Sequence, residues 1–153
     1  MDQSKKGELT QLASKIATTE LLLKDTISEL EDLGLRLFSQ SGTDRVAFVY
    51  QEDSLNPTII KIALRESSID ENYDEAAAWN TYKDESLLVP VTDHGPHHAW
   101  IEMPQCEPSS KSVAEIRDMV REKGYQIPDL NNMSYGKYNG SVKIYDYSGI
   151  YKV

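Results

Sequence analysis

A lysine stands inside an apolar run. Ile59, Ile60, Ile62, Ala63 and Leu64 surround Lys61, and the stretch reads as a short strand buried on both faces. A lysine is almost never buried without a partner, so Lys61 calls for an anion. Downstream, Asn72-Tyr73-Asp74-Glu75-Ala76-Ala77-Ala78-Trp79 reads as a helix, which makes Glu75 a candidate partner across a gap. A phosphate-bearing ligand can share the same ammonium. Near the other end, Asp129 and Asp146 lie on either side of the Asn139-Gly140 hairpin signal, and the hairpin brings them towards one end. Two carboxylates near a buried lysine are what divalent-metal phosphate chemistry uses, one handling the nucleophile and its proton, the other holding the metal. The polar turn Ser39-Gln40-Ser41-Gly42-Thr43-Asp44 precedes the lysine strand, and its backbone N–H groups can cap a phosphate. Plainer alternatives stand beside each reading. A lone strand lysine usually sits at an edge and snorkels to water, and a Ser-Gly turn between strands is usually a hairpin.

The elements that must position these residues follow from periodicity. From Gly7 to Phe38, Leu9, Ile16, Leu23, Leu30 and Leu37 repeat every seven residues, with Leu12, Ala13, Ile27 and Leu33 filling the apolar stripe; the spacing predicts helix. Thr18-Thr19 or Asp25-Thr26 can mark a break. The stripe either packs on the chain's own sheet or forms a seam for a homodimer or a partner helix. Val46, Phe48 and Tyr50 alternate in a predicted strand. Leu87 to Val91 and Ala99 to Met103 read as two strands joined by Thr92 to His98, a loop holding all three histidines beside Asp93. These can hold a metal ion, although His97 and His98 point opposite ways on an extended backbone, which favours a plain hairpin tip. Pro104 and Pro108 turn the chain like a hinge. Ser112 with Glu115 forms a capping box for a helix carrying Val113, Ile116, Met119 and Val120, which Gly124 stops.

Composition excludes several functions. The chain has 153 residues, 39% hydrophobic and 27% charged, with net charge -9. Acid dominance argues against direct nucleic-acid binding, which needs clustered Lys and Arg. Cys106, the single cysteine, excludes an internal disulfide and a cysteine-based zinc site. No apolar run is long enough to span a bilayer and no signal-peptide core follows Met1. The expected location is cytoplasmic.

The order of parts resembles a protein-kinase-like fold over roughly Gly34 to Tyr151. The parts are the Ser41-Gly42 turn, Lys61 in its strand, Asn72-x-x-Glu75, Trp100-Ile-Glu-Met-Pro104, Asp129-Leu130 and Val142-Lys-Ile-Tyr-Asp146-Tyr147-Ser148-Gly149. More narrowly, the chain is similar to small, truncated kinase-like (pseudokinase-like) proteins of bacteriophages and archaeal viruses. The resemblance implies an α+β fold: a kinase N-lobe-like antiparallel sheet with one αC-like helix, preceded by a long N-terminal helix and followed by a truncated C-lobe of one helix and a β-hairpin. It implies an N-terminal helical segment over 1–38, the N-lobe-like sheet and helix over 39–108, and the C-lobe-like part over 109–153. It also implies ATP and Mg²⁺ as cofactors. Ser41, Gly42, Lys61, Glu102 and Met103 would contact nucleotide, Lys61, Glu75 and Asp129 would be catalytic, and Asp146 and Ser134 would hold metal.

The chain departs from that pattern in instructive places. Pro128 precedes Asp129 with no His-Arg, Ser134 stands where a metal-ligating Asn is expected, and Ser148 replaces a Gly. Serine is a poor metal ligand. The chain as given stops at Val153, before any substrate-docking helices. The expectation is therefore a kinase-like protein without full kinase activity, binding a host or viral protein partner in a regulatory or inhibitory way. The first alternative is a minimal ATP/Mg-binding phosphotransferase using Lys61, Glu75, Asp129 and Asp146. A third reading is an acidic nucleic-acid mimic.

Overall fold

The computed structural model describes residues 1–39, 44–51 and 56–153. The fold is α+β, and the chain forms two compact units, 1–73 with 92–105 and 74–91 with 106–153. The division expected from sequence, at 38/39 and 108/109, places its boundaries elsewhere: the N-terminal helices share a core with the sheet, and 74–91 group with the C-terminal part.

In the first unit, α1 (Gln3–Thr19) is N-capped by Asp2, whose side chain accepts the Lys5 N–H at 2.8 Å. It ends at Glu20, which takes a left-handed conformation (φ 57°) and returns its N–H to the Ile16 carbonyl. A short second helix, α2 (Lys24–Asp32), follows. The helical segment expected over Gly7 to Phe38, with a break at Thr18-Thr19 or Asp25-Thr26, is thus two helices and a strand, and α1 ends at the first of those two places. Gly34, at φ +96°, turns the chain out of α2 into β1 (Leu35–Ser39), so Leu37 continues the heptad count without continuing the helix. β2 (Arg45–Tyr50), β3 (Thr58–Ala63), the start of α3 (Ile69–Tyr82), β4 (Asp93–His94) and β5 (Trp100–Pro104) complete the unit. The five strands form an antiparallel sheet in the order β1-β2-β3-β5-β4.

One face of that sheet carries the core. Val46 pairs with Ile62 and Phe48 with Ile60. They form one cluster with Leu35, Tyr50 and Trp100 and with Leu9, Ala13 and Ile16 of α1 and Leu30 and Leu33 of α2. Leu9, Ile16 and Leu30 of the heptad thus pack on the chain's own sheet, whereas Leu23 and Leu37 are exposed. Each fully buried Leu, Ile or Phe contributes about 1.5–3 kcal/mol relative to exposure. Trp100 also donates its indole N–H to Thr10 Oγ1 at 3.0 Å, and Lys6 of α1 pairs with Asp93 of β4. Gly95 permits this packing: a Cβ there would lie 2.3 Å from the Trp100 indole nitrogen. In place of a strand over Leu87 to Val91, the partner of β5 on this side is the two-residue β4.

The second unit holds the rest of α3, α4 (Val113–Glu122), β6 (Tyr125–Gln126), β7 (Tyr135–Tyr138), β8 (Ser141–Ile144) and β9 (Tyr151–Lys152). The capping box of α4 is present, Ser112 Oγ accepting the Glu115 N–H and Glu115 the Ser112 N–H, and Gly124 follows at φ +87°. β7 and β8 form the Asn-Gly hairpin, with positive φ at both Asn139 and Gly140, as a two-residue turn matched to strand twist requires. Leu88 makes only an isolated parallel bridge to Ile144, so the Leu87 to Val91 run is buried chain beside the hairpin. β6 pairs with β9.

Candidate functional site

Lys61 occupies the central strand of the five-stranded sheet and is 7% exposed. Its register partners are Ala47 on β2 and Ile101 on β5. Residues directly opposite in an antiparallel pair share a face, so Lys61 rises from the face away from α1 and α2, flanked by Ala47 and Ile101. The snorkelling edge lysine is not what the structure contains. Met103 lies on that same face opposite Ile59 and is 1% exposed. Glu102 falls on the other face, opposite Ile60, where its carboxylate accepts the hydroxyls of Thr58 and Thr92, each at 3.2 Å. Ser41 and Gly42 of the expected phosphate-capping turn lie outside the described residues.

Asn72 was expected only as part of the spacing around Glu75. It is fully buried and docks the start of α3 on the sheet: its Nδ2 donates to the His98 carbonyl at 2.9 Å and its Oδ1 accepts from Arg45 at 3.1 Å. Arg45 also pairs with Glu71 at 3.3 Å. Asn72 lies three residues after Ile69 and four before Ala76, on one face of α3, and a buried amide must find partners. The histidine loop is a packed turn. His94 and His98 rings stack 4.1 Å apart and Tyr73 meets His98 edge-on. Burial, then the neighbouring His94 and His97, push the His98 pKa down. Among the described residues no group of three or more His, Cys, Asp or Glu can hold a metal ion.

In the second unit the residues around Asp146 form a clamp. Glu75, on the part of α3 in this unit, is 0% exposed, and its Oε2 accepts the backbone N–H of Tyr147 at 2.7 Å and of Ser148 at 3.0 Å. A buried carboxylate is tolerable only with such donors. The two preceding amides, of Tyr145 and Asp146, both donate to the Ser134 carbonyl, at 2.9 and 3.2 Å. Four consecutive backbone N–H groups, 145 to 148, are thereby fixed by two acceptors, with the half-buried Asp146 in the middle. Tyr147 is fully buried and donates its hydroxyl to the Val89 carbonyl at 2.7 Å. Burial, then the nearby Glu75 charge, raise its pKa far above the ordinary phenol range.

The Asp129 to Ser134 loop is held by its own polar side chains. Asn131 donates to the Asp129 carbonyl at 3.1 Å and accepts the Met133 N–H at 2.8 Å. Ser134 is 1% exposed, and its Oγ accepts the Asn131 N–H at 3.2 Å. Asp129 itself is exposed. Of the residues expected at the site, the structure joins Ser134 to Asp146 through the backbone and brings Glu75 to the same segment; Tyr147 is the addition, Asp129 stays exposed, and Lys61, Glu102 and Met103 belong to the first unit.

These features define an α+β protein with a five-stranded antiparallel sheet and a buried-carboxylate clamp around an aspartate. No family model and no curated protein matches the chain. Among solved structures it is similar in fold to Rv3197 of Mycobacterium tuberculosis, determined in complex with erythromycin, with a TM-score of 0.51 and 12% identity. The match covers 99% of this chain and 57% of that one, so the chain spans little more than half the length of that neighbour. Among the described residues no helix is long and apolar enough to cross a membrane.

Proposed function

We propose that the protein is kinase-like in architecture, lacks full kinase activity and acts by binding a protein partner. The observation that carries this reading is Ser134. It stands where the resemblance calls for a second metal ligand, yet it is buried and its hydroxyl closes a turn with Asn131. That leaves Asp146 as one carboxylate, whereas phosphoryl transfer relies on metal held by several oxygen ligands and bridged to the phosphates. A net charge of -9 suits association with a cationic protein surface. The test is transfer of labelled phosphate from ATP with Mg²⁺ or Mn²⁺ to the chain itself or to a generic protein substrate. Wild type and Asp146→Asn should be indistinguishable. Metal-dependent transfer that disappears in Asp146→Asn would overturn the reading.

The clamp around Asp146 favours a second reading, in which ATP and Mg²⁺ bind without turnover. Fixing four amides around one half-exposed carboxylate is the preorganisation that a cation–phosphate contact uses. Thermal denaturation separates the two: a ligand bound only to the native state stabilises it by about 2.7 kcal/mol at a hundred times its Kd. An ATP/Mg²⁺-dependent rise in Tm that Asp146→Asn abolishes would establish nucleotide binding; no rise at millimolar nucleotide would remove this second reading.

A further inference from the structure

Between α1 and α2 the first unit has a groove of about 410 Å³, within the size range of sites that hold a small ligand or a few side chains. One stripe of each helix lines it: Glu8, Gln11, Leu12 and Lys15 from α1, and Glu29, Asp32 and Leu33 at the end of α2. The α1 residues recur at helical spacing over seven positions, which at 1.5 Å per residue gives a groove about 10 Å long. Its two apolar side chains are Leu33, which belongs to the core cluster, and Leu12, partly buried against it. Three carboxylates against one lysine surround them, all four exposed, and among the described residues none of these four is in an ion pair.

We infer that this groove is a docking site for a basic amphipathic segment of a partner protein, an apolar side chain seating on the half-buried Leu12 above the buried Leu33 while neighbouring Lys or Arg side chains meet Glu8, Glu29 and Asp32. Charge selects this occupant. A second copy of the chain would bring another net charge of -9 to an already negative groove, and an acidic or purely apolar segment would leave the carboxylates unmatched. The groove's length suits about two turns of helix, the reach of i, i+3, i+4 and i+7 anchors in a helix-in-groove contact. The inference rests on the reading of the protein as a binding module and adds the chemistry of its partner.

The test uses the full chain and a fluorescein-labelled amphipathic peptide of Leu and Lys, followed by fluorescence anisotropy. Wild type should bind it saturably, and the double reversal Glu29→Lys with Asp32→Lys should weaken binding about tenfold. Asp118→Lys with Glu122→Lys on α4 of the second unit changes the net charge equally without altering a groove-lining residue and should leave binding within about twofold. Glu8→Lys, on the facing helix, should act in the direction of the groove pair. Equal weakening by the α4 pair, equal binding of a scrambled peptide with no apolar face, or no binding by wild type would each overturn the inference. A failed peptide experiment leaves the phosphate-transfer result untouched, and Asp146-dependent transfer would leave the groove standing, so the two failures are told apart.

Discussion

Removing the Glu75 carboxylate should be among the most damaging single changes in the second unit. Glu75→Ala leaves the N–H groups of Tyr147 and Ser148 without the acceptor they now share at 2.7 and 3.0 Å. Each unsatisfied buried donor costs about 1–3 kcal/mol, so the two together give about 2–6 kcal/mol, a large share of the stability of a small domain. Glu75→Gln keeps an oxygen of similar reach but exchanges two charge-assisted bonds for neutral ones, a loss of about 1 kcal/mol per bond. The expected ranking is wild type, then Gln about 2 kcal/mol lower, then Ala about 4 kcal/mol lower. Urea denaturation followed by circular dichroism measures the ranking, and amide hydrogen exchange locates it. Protection at Tyr147 and Ser148 should fall in both variants while that of the β1-β2-β3 ladder is unchanged under native conditions. An Ala variant within about 0.5 kcal/mol of wild type, with those two amides still protected, would refute the clamp.

Gly95→Ala should destabilise the first unit by about 1–3 kcal/mol, because the added methyl would sit 2.3 Å from the Trp100 indole nitrogen; a shifted tryptophan emission in the folded variant would check that the clash falls on Trp100. Asp93 gives a pH-dependent effect. Burial alone would raise its pKa, but the hydrogen bonds from Lys6 and the His94 N–H, with the Lys6 charge, hold it below the ordinary 3.8. The folded state thus binds this proton less readily than the unfolded chain, so the contribution is complete above about pH 4 and lost as pH falls through the lower folded value. Asp93→Asn should therefore cost about 0.2–1 kcal/mol at pH 7 and nothing in strong acid; a difference that persists unchanged at low pH would show that the Lys6–Asp93 pair is not its source.

What could be read from the sequence was mostly local. The alternation of Val46, Phe48 and Tyr50, the capping box at Ser112, and Asn139-Gly140 each declare an element within a few residues, and all three elements are there. The break after α1 was legible only as one of two places, Thr18-Thr19 or Asp25-Thr26, because Glu20 takes the left-handed conformation that usually advertises itself with glycine. Leu37 misled for a different reason: it falls on the heptad count of the helices, and only Gly34 in front of it marked the change to strand. The run Leu87 to Val91 has the composition of a strand but makes a single bridge, since apolar composition reports burial better than hydrogen bonding. At the site, sequence could nominate Glu75, Ser134 and Asp146. It could not show that Glu75 reaches amides 72 and 73 residues away, because such closure is a property of the folded chain.

Glu75 and the Ser134 carbonyl hold residues 145 to 148 by their main chain. None of the four bonds from those amides to Glu75 and the Ser134 carbonyl uses a side chain of the gripped segment. The grip therefore makes no demand on which side chain occupies position 148, and a library of non-proline residues there should leave the protection of all four amides in place.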